Sequence, residues 1–389
     1  MTTDNRVTRR TAVLSAAGAA AAAALPGGAL AAVSGQTACT PLWKTALRRG
    51  IVFGSAFSTR LAEDADYVRL IDREAALLFT EDDLLWYKLK PTPESDLDFS
   101  YADQFVEFAR RHRQLVFGAH LVWDEGFGDG WGDELWELSE EDARELMIDT
   151  VTRVVARYRN KVVGWIVVNE AIDAHTDDGL RTDVPWYETI GPSYVAEAFH
   201  AARAADPHAT LVLNDFGFET DAEFDTAADR RRNALKVIDA LLDDDVQLDA
   251  FGIQGHLSAA GFAQAFDAHA YRRFLSDLAD RGLKILITEV DVLDDDLPAN
   301  NRIRDRAIAE AYKRYLDVTL AEPAVKSVMT FGLSDRYTWL QEDYPREDGA
   351  PRRPLPFDDQ LKPKPAYEAL SRSLDQARSR QLLWRPPRG

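Results

Sequence analysis

From residue 50 onward, short runs of β-branched and aromatic residues alternate with stretches whose apolar positions recur at helical spacing. Eight runs read as strands: 51–57, 76–80, 115–123, 162–169, 210–214, 250–256, 284–290 and 325–333. Several are apolar almost without interruption, as strands covered on both faces are. Between them, 140–158 carries Ala143, Met147, Val151, Val154, Val155 and Tyr158 at three- and four-residue steps. Ser139 supplies an N-cap and Asn160 fits the exit. Similar periodicity marks 194–205, 234–242, 271–281 and 304–320.

Strands alternating with helices imply a parallel sheet, and eight strands are the number that closes a barrel. A doubly wound sheet would want a Gly-rich phosphate loop after an early strand. Gly50-Ile51-Val52-Phe53-Gly54 lacks the G-x-G-x-x-G spacing. The expected fold is therefore α/β, a single-domain (β/α)8 TIM barrel over 42–375. The Asp- and Gly-rich stretches 124–131 and 173–183 follow strand ends, where the loops of a functional face belong. The Arg-rich tail 376–389 reads as a surface or disordered extension.

The first residues are of another kind. Thr8-Arg9-Arg10-Thr11, an Ala-rich run over 12–25 and Ala29-Leu30-Ala31 have the anatomy of an export signal over 1–31, with the paired arginines of the twin-arginine type. A linker, 32–41, would follow, and the mature protein is expected outside the cytoplasm, secreted or periplasmic. No later run is long and apolar enough to span a bilayer. The net charge of −19 argues against nucleic acid and anionic membranes as partners and favours a neutral substrate. Cys39 is the single cysteine, so no intrachain disulfide can form. A core drawn from 46% hydrophobic and 10% aromatic residues has to supply the stability. Nothing points beyond a monomer.

In a barrel the chemistry sits where strands end. Glu170 closes the run Gly164-Trp165-Ile166-Val167-Val168-Asn169, and Glu289 closes Lys284-Ile285-Leu286-Ile287-Thr288. Each is the first ionisable group after an apolar run, in a partly dry setting. Two such carboxyls can divide labour, one kept protonated by burial and the other ionised, as cleavage of a glycosidic bond requires. A glutamate after a strand can equally anchor a loop; two of them favour chemistry. His256 ends the sixth strand, where it is either structural or a partner for a carboxylate. Asp291 lies two residues past Glu289 and either bonds His256 or caps the loop. Neither H-x-H nor H-E-x-x-H occurs, so a metal-dependent hydrolase has little support and no cofactor is expected. Aromatic residues gather at strand ends and in the loops after them: Trp123, Phe127, Trp131, Trp186, Phe216, Phe331, Tyr337 and Trp339. Flat rings suit the C–H faces of pyranosides.

Taken together, these segments resemble glycoside hydrolase family 10, the endo-β-1,4-xylanase family. Trp165-Ile166-Val167-Val168-Asn169-Glu170-Ala171 looks like its acid/base motif, and Ile287-Thr288-Glu289-Val290-Asp291-Val292 like its nucleophile motif. Asn214-Asp215-Phe216, Gly252-Ile253-Gln254-Gly255-His256-Leu257 and the 332–339 segment ending in Trp339 follow in the family's order, and 355–367 is similarly family-like. The likeness covers about residues 42–372. It implies a retaining hydrolase with Glu170 as acid/base and Glu289 as nucleophile. Asn169 would contact the substrate 2-OH, Gln254 and His256 would flank Glu289, and Trp339 would line a donor-side platform; Glu81 and Trp123 fall in further substrate-binding segments.

The departures from the pattern matter as much. The family reads Glu-Asn-x-x-Lys-Trp after the second strand; here Glu81 is followed by Asp82, and Leu85 stands where the lysine would be. The histidine expected after Gly118 is Ala119, with His120 one place later and, by strand alternation, directed to the other side. Phe331 replaces a tryptophan and Phe216 a tyrosine. Each lost hydrogen bond to a sugar costs about 0.5–1.5 kcal/mol, which weighs against plain xylan as substrate. A non-catalytic, sugar-binding barrel is the alternative these losses suggest.

Overall fold

The computed structural model describes residues 40–388; the expected export signal, Cys39 and most of the expected linker lie outside them. Among the described residues, β1 (Val52–Phe57), β2 (Leu77–Thr80), β3 (Leu115–Gly118), β4 (Val162–Asn169), β5 (Thr210–Asp215), β6 (Ala250–Ile253), β8 (Lys284–Leu293) and β9 (Val325–Thr330) pair in parallel. Pairing of β1 with β9 closes the ring. A three-residue strand, β7 (His256–Ser258), adds to the outer end of β8. The fold is the expected single-domain (β/α)8 barrel.

Strand alternation builds two cores. Val52, Ala56, Leu77, Phe79, Phe117 and Met329 point inward and fill the barrel. Phe53, Phe57, Leu78, Val167 and Leu213 point outward beneath the helices. Helix Glu140–Arg157 begins where Ser139 Oγ accepts from Asp142 N, and Asn160 takes a left-handed φ of 63° just past its end. Helix Ala227–Asp243 starts seven residues before the expected 234, because Thr226 caps a first turn of charged residues that carries no apolar period.

Four strands depart from their expected extents by three residues or more, the eighth stopping at Thr330 rather than 333. The third stops at Gly118 rather than 123. The sixth breaks at Gln254-Gly255, and the seventh runs on to Leu293. Each change falls at the end of the barrel where the loops carry the polar residues.

The C-terminal tail is a second correction, being neither a loose extension nor disordered. Trp384 is 8% exposed and packs on Phe117 in the barrel interior, its Nε1 donating to Thr210 Oγ1 at 3.1 Å. Arg380 caps the carbonyls of Leu320, Glu322 and Val325, and Arg388 those of Asp72 and Ala75. Those contacts sit where strands begin, so the tail plugs the floor of the barrel. Trp384→Ala should lower the unfolding free energy by about 3–5 kcal/mol. A denaturant titration reads this loss, and activity at 25 °C should be unchanged because the plug lies opposite the functional face.

Candidate active site

At the other end, the strand termini surround a cleft of about 360 Å³, within the usual range for a small-molecule or sugar site. All twelve residues singled out from the sequence line it: Glu81, Asp82, Trp123, Asn169, Glu170, Phe216, Gln254, His256, Glu289, Asp291, Phe331 and Trp339. Of the other aromatics, Phe127, Trp131 and Trp186 pack with Trp86 behind the cleft wall, and Trp186 Nε1 holds the Trp123 carbonyl. Tyr337 turns to Tyr67 and Asp64.

Glu170 leaves β4 in a left-handed conformation, φ 57°, with its N–H donating to the Asn214 carbonyl at 2.9 Å. Such a backbone is costly for a side-chain-bearing residue and persists only where its surroundings fix it. Trp123 Nε1 donates to Glu170 Oε2 at 3.1 Å and Gln254 Nε2 to Oε1 at 2.9 Å. Burial, the larger influence, outweighs the Gln254 hydrogen bond, and with Glu125 and Asp124 nearby it pushes the carboxyl up to about 8.

Glu289, 4% exposed, is treated oppositely. Burial works against its charge, yet His256 and a hydrogen bond from Asn214 overcome that and hold its pKa below the ordinary value. Asn214 Nδ2 donates both to Glu289 Oε1, at 2.9 Å, and to Asn169 Oδ1, at 2.8 Å. Thr288 Oγ1 donates to Asn214 Oδ1, which fixes the amide's orientation. Gly252 makes room for that amide, since a Cβ there would overlap Asn214 Oδ1. With its oxygen engaged by Asn214, Asn169 is left with a buried Nδ2 that has no protein partner.

His256 bridges two carboxylates: Nδ1 is 2.8 Å from Asp291 Oδ1 and Nε2 is 3.4 Å from Glu289 Oε2. Burial disfavours the cation, but Asp291 and Glu289 together raise the ring's pKa to about 10. This resolves the two readings of Asp291. It bonds His256, and it also accepts Trp339 Nε1 at 2.8 Å, tying the aromatic platform to the carboxylate network.

Three further residues belong here: one that the sequence reading left inside a motif, one that it missed and one that it directed away from the cleft. Asn214 was visible only as part of a motif, although its amide joins Asn169 to Glu289. Arg60, in the loop after β1, donates to Glu81 Oε1 at 2.8 Å; burial outweighs this guanidinium and lifts Glu81 to about 7. His120 lines the cleft, contrary to the expectation that it faces away. Alternation does not extend to it because β3 ends two residues earlier.

A (β/α)8 barrel whose strand-end cleft holds one carboxyl protonated and another ionised defines the class: a glycoside hydrolase. The sequence profile of glycosyl hydrolase family 10 matches residues 42–373, and the chain belongs to that family. Endo-1,4-beta-xylanase B of Thermotoga neapolitana is 30% identical over 331 residues, spanning 84% of this chain and 88% of that protein. Endo-1,4-beta-xylanase 5 of Pyricularia oryzae is 28% identical over 342 residues, 87% and 79% of the two chains. Native xylanase 10B from Thermotoga maritima superposes with a TM-score of 0.76 at 28% identity, covering 86% of this chain and 98% of that one. Xylanase 10B from Thermotoga petrophila RKU-1, solved in complex with xylobiose, gives 0.76 at 27% identity, covering 88% and 99%.

Asn214→Ala removes a donor to an ionised carboxylate, a hydrogen bond worth about 1.5–3 kcal/mol. kcat/KM should fall roughly ten- to a hundred-fold. Glu289 would then hold its proton more tightly, so the acid limb of the pH–rate profile should move to higher pH.

Proposed function

We propose that the protein hydrolyses β-glycosidic bonds with retention of anomeric configuration, through a covalent glycosyl-enzyme. One observation carries this reading: two buried carboxyls share a cleft, one raised to about 8 and the other held below its ordinary value. Glu289, ionised, attacks the anomeric carbon while protonated Glu170 gives its proton to the departing glycosidic oxygen. That forms a sugar ester on Glu289 and leaves Glu170 as a carboxylate. Water then enters, Glu170 takes its proton, and the hydroxide equivalent displaces Glu289 from the same face that the leaving group vacated. His256 keeps its charge throughout because Asp291 remains beside it. The buried Nδ2 of Asn169 gains a partner if it donates to the sugar 2-OH.

The substrate class is a plant-type β-linked polysaccharide, oligosaccharide or glycoside. The relatives named xylanases, and the neighbour solved with xylobiose, support a xylan-like backbone. Leu85, Ala119 and Phe331 support a donor sugar other than an unsubstituted xylose: hydrogen-bonding groups are lost, and Phe331 fills less space than a tryptophan. The 1–31 segment supports an exported protein, which we take to act as a monomer.

Glu289→Ala should abolish hydrolysis of an aryl β-glycoside or xylo-oligosaccharide, and NMR of the first-formed wild-type product should show the β-anomer. An α-anomer would overturn the double displacement. Binding without turnover across a broad glycan panel would favour a sugar-binding barrel instead. The pH dependence has a defined sign. Glu170 works protonated, so kcat/KM should decline above about pH 8; Glu289 works ionised, so the acid limb should lie below the usual glutamate value.

A further inference from the structure

His120 is a buried titratable group in the cleft that the proposed chemistry leaves unused, and one of its ring nitrogens has no partner. We infer that His120 is a specificity-determining residue whose Nε2–H donates a hydrogen bond to a ring hydroxyl of the donor sugar, the one that Glu289 attacks. The inference rests on the glycosidase reading for the identity of that sugar.

The ring is only 7% exposed, yet it lines the cleft. Trp123 packs on it at 4.9 Å between centroids and Phe79 meets it edge-on at 6.0 Å, so its orientation is fixed by contact. Nδ1 is enclosed by protein and has no hydrogen-bond partner. Two consequences follow from elementary imidazole chemistry. The edge that meets the cleft is the Nε2 edge, and the single proton of a neutral ring resides there, since Nδ1 has no acceptor to receive it. Burial drives the pKa down to about 4 against the pull of Glu289, so the ring is uncharged near neutral pH.

Location identifies the ligand. His120 feels the charge of Glu289, and Phe79 beneath it touches Phe331, which in turn meets Trp339. That is the nucleophile's side of the cleft. The neighbours of His120 in the chain cannot serve there: Ala119 faces the barrel interior and Leu121 the outer core. Leu85, which also lines the cleft, has no polar atom to offer. A ring needed only for packing would be met by phenylalanine, which leaves no nitrogen unpaired. His256 shows the contrast, with both of its nitrogens engaged by carboxylates.

The test uses His120→Phe, which keeps the packing, and His120→Gln, which keeps a nitrogen donor at similar reach. On an aryl β-glycoside turned over by the wild type, the Phe variant should lose roughly three- to ten-fold in kcat/KM, the size of one hydrogen bond between neutral groups. The Gln variant should recover most of it. In a set of mono-deoxy donor substrates, one should lose activity with the wild type and lose none further with the Phe variant. Full activity of the Phe variant, or the same losses on every deoxy substrate in both proteins, overturns the inference. A second reading works on the unaltered protein: 15N NMR of its histidines during a xylobiose titration, with the Gln variant assigning His120. A shift of the His120 Nε2 resonance supports the inference and an unmoved resonance overturns it. Absence of turnover by the wild type on every glycoside would sink the hydrolase reading alone, and the NMR titration would still decide for His120.

Discussion

Two carboxyls buried in one cleft cannot both be ionised cheaply, and much of the polar architecture at the strand ends decides which of them carries the charge. The deciding element is a neutral amide. Asn214 gives one N–H to Glu289 and the other to Asn169, while Thr288 fixes which way round it sits. Those donors, with charged His256, more than offset the cost of burying Glu289 as an anion. Glu170 receives two neutral donors and no cation on its carboxylate, so burial wins there. Even Gly252 belongs to this balance, because a side chain at that position would displace the amide.

Much of the fold was legible because a closed parallel barrel writes itself into sequence as apolar runs alternating with helical periods. Glu170 and Glu289 were legible for a related reason, each being the first charge after such a run. What the sequence hid lies where periodicity stops. The alternation that placed His120 outside the cleft is a property of extended strand, and β3 ends at Gly118. The start of helix 227–243 was missed because its first turn is capped by Thr226 and carries charge rather than apolar spacing. The tail was misjudged because arginines read as surface residues, whereas Arg380 and Arg388 spend their donors on backbone carbonyls and let Trp384 reach the barrel floor. Asn214 was hidden differently, since an asparagine has no charge to draw notice and its importance lies in three partners distant in sequence.

The aromatic residues divide along the same line. Composition alone could not separate rings that face a ligand from rings that support a wall, because both follow strand ends. In the fold, Trp123, Phe331 and Trp339 border the cleft, while Trp86, Trp131 and Trp186 form a cluster behind it. Trp339 does more than border the cleft, since its indole N–H also donates to Asp291. A sugar pressed on that ring would therefore sense the position of Asp291, and through it His256 and Glu289.

The distribution of familiar and altered residues around the ring of strands carries a further physical consequence. Asn169, Glu170, Asn214, Gln254, His256, Glu289 and Asp291 come from β4 through β8, and their hydrogen bonds run mainly to one another. Asp82, Leu85, Ala119 and Phe331 follow β2, β3 and β9, on the remaining arc. None of these four donates or accepts a hydrogen bond to either of the two carboxyls. Changes at these four positions can therefore alter which sugar fits without disturbing the hydrogen bonds that set the charge balance the proposed chemistry needs. The barrel makes the separation possible, because each strand end contributes its own loop to the cleft.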